Sequence, residues 1–267
     1  MDGYWARQHV TTAAGGRRGF GVGVETMGRV GEIEAALGAV RARLDAACRD
    51  AGRDPAEVSL LPVTKFFPES DARILYDLGC REFGESREQE ATAKIAEFRT
   101  AVTDPSVRWH MIGHLQRNKA KAVAHWAYAI HSVDSERLVG ALGRAATTAL
   151  EAGERPEPLR VLLQVSLDGD PQRGGAAIDD LEHLAAQVQS SPGLEYRGLM
   201  AVPPIDADPD AAFEELEKIH ARLRRDHPDA TDLSAGMTND LEHAVRHGST
   251  CVRVGTALLG SRPITSK

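Results

Sequence analysis

The chain has 267 residues, 42% of them hydrophobic and 27% charged, with a formal net charge of -7. That length supports one large core close to the roughly 250 residues of a (β/α)8 barrel. The acidic balance excludes a general binder of nucleic acid or anionic membranes, while leaving room for a local basic patch that holds one phosphate. Small molecules are the expected partners. Cys48, Cys80 and Cys251 lie far apart with no CxxC spacing, which speaks for reduced structural thiols and against a disulfide framework or a zinc site. The N-terminal stretch carries arginines but no apolar core of the kind a secretory signal needs, and no window reaches membrane-spanning length. A cytoplasmic location is expected.

Residues 1–26 are rich in Gly, Thr and Arg and show no usable periodicity. They are expected to form a flexible extension, with residues 27–267 as the functional domain. Over 30–51, Ile33, Leu37, Val40, Leu44 and Ala47 recur every three or four positions, which predicts an N-terminal helix ended by Gly52. Eight apolar runs follow, at 58–64, 81–84, 107–113, 128–133, 159–167, 196–202, 231–237 and 251–259. Helical patterns separate them, for instance at 70–78, 87–98, 135–152, 178–189, 208–226 and 238–247. Connections of this length favour parallel pairing, and repeated right-handed β-α-β crossovers close into a barrel. A doubly wound open sheet is the rival fold. The count of eight, and the lack of a GxGxxG turn after the first strand, favour a single α/β (β/α)8 TIM barrel. Ser135 and Thr238 read as helix N-caps.

The C-terminal ends of barrel strands carry the chemistry. Lys65 ends the first run, where burial lowers an amine pKa and prepares it for Schiff-base formation, although most strand-end lysines simply reach into solvent. Strand seven runs into Gly236-Met-Thr238 and strand eight into Gly255-Thr256. Glycine amides, hydroxyls and a helix start at two neighbouring turns suit a phosphate. Thr238 could otherwise be only a cap, and Gly255 only a bulge. Arg253 lies within an apolar strand, so it needs either a structural carboxylate or a ligand. It stands two residues before Gly255 and therefore faces the same way. His110 and His114 lack the helical face that a zinc pair requires. Arg117, Lys119 and Lys121 read as a solvated basic cluster.

Seven motifs occur in order: Val63-Thr-Lys65, Phe83-Gly-Glu85, Trp109-His-Met-Ile-Gly-His-Leu-Gln116, His131-Ser-Val-Asp134, Arg197-Gly-Leu-Met200, Ser234-Ala-Gly-Met-Thr-Asn-Asp-Leu-Glu242 and Val252-Arg-Val-Gly-Thr-Ala257. In these the chain resembles the pyridoxal phosphate homeostasis proteins, a family also described as alanine racemase N-terminal-domain-like or proline-synthetase co-transcribed. The resemblance implies a fold-type III barrel with pyridoxal 5'-phosphate bound as an internal aldimine on Lys65. It also implies that Arg253 faces the pyridine nitrogen and that Thr238, Gly255 and Thr256 hold the phosphate. Three positions depart from the family pattern. Ser86 stands where asparagine is usual, Ser234-Ala-Gly-Met-Thr238 replaces Ser-Met-Gly-Met-Ser, and Thr64-Lys65 replaces Ser-Lys. Ser86 is thus a polar contact near the cofactor that is shortened or bridged by water.

The resemblance implies a cofactor carrier that buffers pyridoxal 5'-phosphate in vitamin B6 and amino-acid homeostasis without strong catalysis, as a monomer or weak dimer. Small amino acids are further candidate ligands. The alternative is an amino-acid racemase, which needs a second acid-base group opposite the lysine. In the resembling racemases that group is a tyrosine from an additional domain, expected to be missing from a chain that ends shortly after strand eight. A third reading is a scaffold that has lost the cofactor.

Overall fold

The computed structural model describes residues 24–170, 173–204 and 206–261, with side chains from residue 28 onward. Helix α1 (Val24–Asp50) precedes eight strand-helix units. These are β1 (Ser59–Pro62) with α2 (Glu69–Asp77), β2 (Glu82–Glu85) with α3 (Glu88–Ala101), β3 (Arg108–Met111) with α4 (Ala120–Trp126), and β4 (Ala127–Val133) with α5 (Glu136–Glu151). They continue as β5 (Leu159–Gln164) with α6 (Leu181–Gln189), β6 (Leu194–Met200) with α7 (Pro209–Asp226), β7 (Asp232–Ser234) with α8 (Leu241–Arg246), and β8 (Cys251–Val254) with α9 (Thr256–Leu259). All named pairings are parallel, in the order β1-β8-β7-β6-β5-β4-β3-β2. The parallel bridge Val63↔Gly84 and the bond from Thr64 N–H to Gly84 O (3.0 Å) close the ring. The expected barrel is the observed one.

The core lies between the barrel and its helices. Phe83, Phe98 and Trp109 are fully buried there, with Phe98 edge-on to Trp109 at 5.4 Å. Each such side chain stabilises the fold by roughly 1.5–3 kcal/mol when removed from water. The predicted stripe of α1 is buried along its length. Its Leu44, Ala47 and Cys48 pack on Leu241, Val245 and Val252, which seats α1 against α8 and β8.

Three boundaries differ from the sequence reading. Helix α1 starts at Val24, so the last three residues of the expected extension are helical; residues 1–23 lie outside the described residues. The runs at 231–237 and 251–259 are strand only through Ser234 and Val254, because Gly236 turns the chain at φ 90° and Gly255 leads directly into α9. Helix α8 begins at Leu241, and Thr238 is not its cap. The Asp240 carboxylate instead accepts the Met237 N–H at 2.6 Å, which makes a separate turn before the helix. Ser135 does precede α5 as expected, though its hydroxyl makes no capping bond.

Inside the barrel, the N-terminal end of the strands is closed by charge. Glu82 pairs with Arg108 at 3.3 Å, Glu195 with both Arg160 and Arg197 at 3.2 Å, and Asp232 with Arg197 at 3.2 Å. The Tyr128 ring meets the guanidinium groups of Arg108 and Arg160, 4.2 and 4.5 Å from its centroid. Every cation of this floor has a carboxylate, and two share an aromatic face.

Candidate functional site

At the opposite end, three consecutive strands bring the predicted residues together. Val63 N–H bonds to Val254 O at 2.8 Å, and Arg253 N–H bonds to Gly236 O at 3.0 Å. Lys65, Gly255-Thr256 and the turn Gly236–Thr238 therefore leave the adjacent ends of β1, β8 and β7. Gly255 eases this approach, since a Cβ there would lie a tight 3.3 Å from Val63 O. The Leu258 and Leu259 amides both bond to Gly255 O, so the Thr256 and Ala257 amides are the first-turn donors that a helix leaves without an internal acceptor. Thr256 is exposed and Thr238 half-buried. The Thr238 carbonyl is taken by Arg43 Nη1 at 2.5 Å, while Arg43 also holds Glu242; α1 thus fixes the β7 turn from outside.

The Lys65 turn is strained and clamped. Phe66 has φ 69°, the one non-glycine residue with positive φ among the described residues, and such a backbone persists only where its surroundings enforce it. Its N–H bonds to Glu90 Oε1 at 2.5 Å. Lys94 supports that carboxylate from 3.8 Å and donates to Glu85 Oε1 and Thr64 O, both at 2.7 Å. The Thr64 hydroxyl donates to the same Glu85 oxygen at 2.6 Å. Glu85 and Lys94 are buried between the barrel and α3. Burial pushes the Glu85 carboxyl up from the usual range, against the opposing pull of Lys94 and Thr64. Sequence reasoning assigned neither residue a role. Glu85 lay within a recognised motif, but Lys94 looks like any helical lysine.

Arg253 is 5% exposed and donates Nη1 to Ser234 Oγ (2.7 Å) and Nη2 to Ala201 O (2.9 Å). The structural carboxylate that could have explained it is not there: Arg253 makes no ion pair among the described residues. Ser234 Oγ in turn meets His131 Nδ1 at 2.8 Å, and His131 Nε2 meets His110 Nδ1 at 2.9 Å. Burial holds both imidazoles below the usual histidine range, His131 well below, with His110 and Arg253 adding to the effect.

The remaining predicted residues separate. Ser86 is half-buried at the end of β2 and packs so closely on Gly113 that a Cβ there would fall 2.2 Å from Ser86 O. His110 points into the barrel while His114 is exposed beside Asp134, and no metal-ligand cluster occurs among the described residues. Lys119 is paired with Glu88 at 3.1 Å, which corrects its reading as solvated. Arg117 and Lys121 line an outer groove of about 660 Å³ between α4 and α5, away from the strand ends.

No described helix is long and apolar enough to cross a membrane. Residues 36–263 match the family model of the alanine racemase N-terminal domain. A pyridoxal phosphate homeostasis protein from Mycobacterium tuberculosis is 55% identical over 247 residues, covering 89% of this chain and 96% of that protein. One from Corynebacterium glutamicum is 43% identical, covering 84% and 100%. Among solved structures, PipY of Synechococcus elongatus with pyridoxal phosphate bound superposes with a TM-score of 0.72 at 35% identity, covering 85% of this chain and 100% of that one. Alanine racemase from Corynebacterium glutamicum superposes at 0.62 with 14% identity over 89% and 63%, a likeness of fold alone. The chain is a (β/α)8 barrel of the alanine racemase N-terminal type and belongs to the pyridoxal phosphate homeostasis protein family.

Proposed function

We propose that this protein binds pyridoxal 5'-phosphate reversibly at the C-terminal mouth of the barrel and buffers it in vitamin B6 and amino-acid homeostasis, without strong catalysis of its own. The observation that carries this reading is the pairing of Lys65 with a buried, carboxylate-free Arg253 on neighbouring strands, flanked by two turns rich in donors. The donor set fits the group. A guanidinium has five N–H donors and no acceptor, and two are used by Ser234 and Ala201. The others suit an electron-rich ring nitrogen. The first-turn amides of α9, with the Thr256 and Thr238 hydroxyls, suit a phosphate dianion.

When bound, the cofactor supplies an aldehyde that condenses with a primary amine, releasing water, and a ring that withdraws electrons. Lys65 supplies that amine, and the clamped Phe66 turn orients it. Arg253 stays cationic and opposes protonation of the ring nitrogen, which keeps the ring a weak electron sink.

The racemase alternative needs a second acid-base group opposite Lys65, and the three described tyrosines do not offer one. Tyr76 bonds to Asp104 beside α2, Tyr128 is stacked in the floor, and Tyr196 packs on His227 outside the barrel. None of the three is at the mouth. Titrating the protein with pyridoxal 5'-phosphate should produce the visible band of the lysine-linked cofactor, and Lys65→Ala should abolish it. Wild-type protein without a band would sink the reading. Racemisation of L-alanine above the free-cofactor background would overturn the non-catalytic part.

A further inference from the structure

The barrel interior holds a continuous polar chain that cofactor binding does not itself require. It runs Arg253, Ser234, His131, His110 and ends facing Glu82, whose Oε2 lies 3.7 Å from His110 Nε2. Its side chains come from β8, β7, β4, β3 and β2. His110, His131, Ser234 and Arg253 are each at most 6% exposed.

The Arg253 end of this chain fixes the protons along it, and the carboxylate at the other end agrees with that polarity. Arg253 can only donate, so Ser234 Oγ accepts from it and has its one hydrogen left to give. That hydrogen goes to His131 Nδ1, which must carry a lone pair. His131 then bears its proton on Nε2 and donates it to His110 Nδ1. His110 in turn carries Nε2–H, which makes no hydrogen bond among the described residues and faces the Glu82 carboxylate at 3.7 Å. The reverse polarity would set a bare His110 nitrogen against that carboxylate and leave the Ser234 hydrogen without an acceptor, which a buried site penalises. Protonating either ring would place a cation beside Arg253 or remove an acceptor from the chain.

We propose that His131 and His110 are positioning residues for the cofactor, held as neutral Nε2–H tautomers that lock the Ser234 hydroxyl as an acceptor and so aim the Arg253 guanidinium at the ring nitrogen. This rests on the preceding reading of Arg253. Ser234 anchors one arm of the guanidinium and the Ala201 carbonyl anchors another, so the direction of the remaining donors follows from the chain beneath them. The floor carboxylate is thereby coupled to the cofactor ring through four side chains.

Two measurements test it. Long-range proton-nitrogen NMR of the apoprotein, labelled at histidine, should find both rings at neutral pH protonated on Nε2 alone. A doubly protonated ring or an Nδ1–H tautomer at either position overturns the proposal, whatever the variants do. Pyridoxal 5'-phosphate is then titrated into wild type, Ser234→Ala, His131→Leu and His131→Gln. The lysine-linked band should form in all four. The dissociation constant should rise roughly ten-fold in Ser234→Ala and His131→Leu, as for one lost bond to a charged group. The ring-nitrogen chemical shift should move with it. Glutamine carries both an acceptor and a donor, and should recover most of the wild-type affinity and shift. Unchanged affinity and ring shift in His131→Leu overturn the positioning role. A wild-type protein with no band would instead sink the cofactor reading and leave the tautomer result standing.

Discussion

The two ends of the barrel interior treat charge in opposite ways. At the floor, Arg108, Arg160 and Arg197 each face a carboxylate within 3.3 Å. At the mouth, Lys65 and Arg253 make no ion pair among the described residues, although Arg253 is the more deeply buried. A cation left uncompensated in a dry site is costly unless something electron-rich arrives to meet it. The floor is therefore self-sufficient, whereas the mouth keeps the cationic donors that the proposed cofactor site uses. The mouth does own one buried ion pair, Lys94 with Glu85, but it lies behind the strands, where it holds the Lys65 turn.

That contrast can be broken most severely at the buttress. Glu85→Leu leaves the Lys94 ammonium buried without its carboxylate and should cost about 3 kcal/mol of unfolding free energy in a denaturant titration. An unchanged midpoint would show that Lys94 finds water instead. At the mouth, Arg253→Leu should weaken pyridoxal 5'-phosphate by roughly thirty-fold, about 2 kcal/mol, while apoprotein stability holds or rises because an unpaired buried charge has gone. A large loss of apoprotein stability would mean that Arg253 is structural after all. The floor should respond in the reverse sense. Arg197→Leu strands Asp232, while Glu195 keeps Arg160, and should lower stability by about 1 kcal/mol, a small figure because Asp232 is more than a third exposed and screened, with cofactor affinity unchanged.

The smallest effect concerns pH. His110 and His131 have folded-state values below the ordinary 6.5 because burial disfavours the charged ring. The unfolded chain thus takes up protons first, and their contribution is complete above about pH 6.5 and is lost as pH falls below it. His220 is lowered by burial in the same direction. Denaturation midpoints should therefore fall on acidification below 6.5, and less steeply in His131→Gln. Equal slopes would show that the central ring takes no part.

Much of this was legible in the chain. The stripe from Ile33 to Ala47 and the eight alternating units gave the barrel because burial on a helix or strand leaves a period. Lys65, Arg253 and the Gly255-Thr256 pair stood out because a charge or a glycine beside an apolar run breaks that period. The Thr238 cap failed because residues 237–240 form a turn of their own, in which the Asp240 amide bonds to Met237 O and the Met237 amide to the Asp240 carboxylate, so the helix starts only at Leu241. Glu85, Lys94 and His131 gave no separate signal, since a buried lysine in α3 and a solvated one are written identically.

The sequence alone determined the number and order of the strands and the parallel barrel, properties carried by local patterning and short connections. Only the tertiary structure decided which charges met. Barrel closure brought β7 and β8 beside β1, aligned four side chains from four strands beneath the mouth, and gave the floor cations their carboxylates while withholding one from Arg253. Those contacts span long separations such as Arg253 to Ser234 or His131 to Ser234. No period or spacing records them, because they exist only once the sheet has closed on itself.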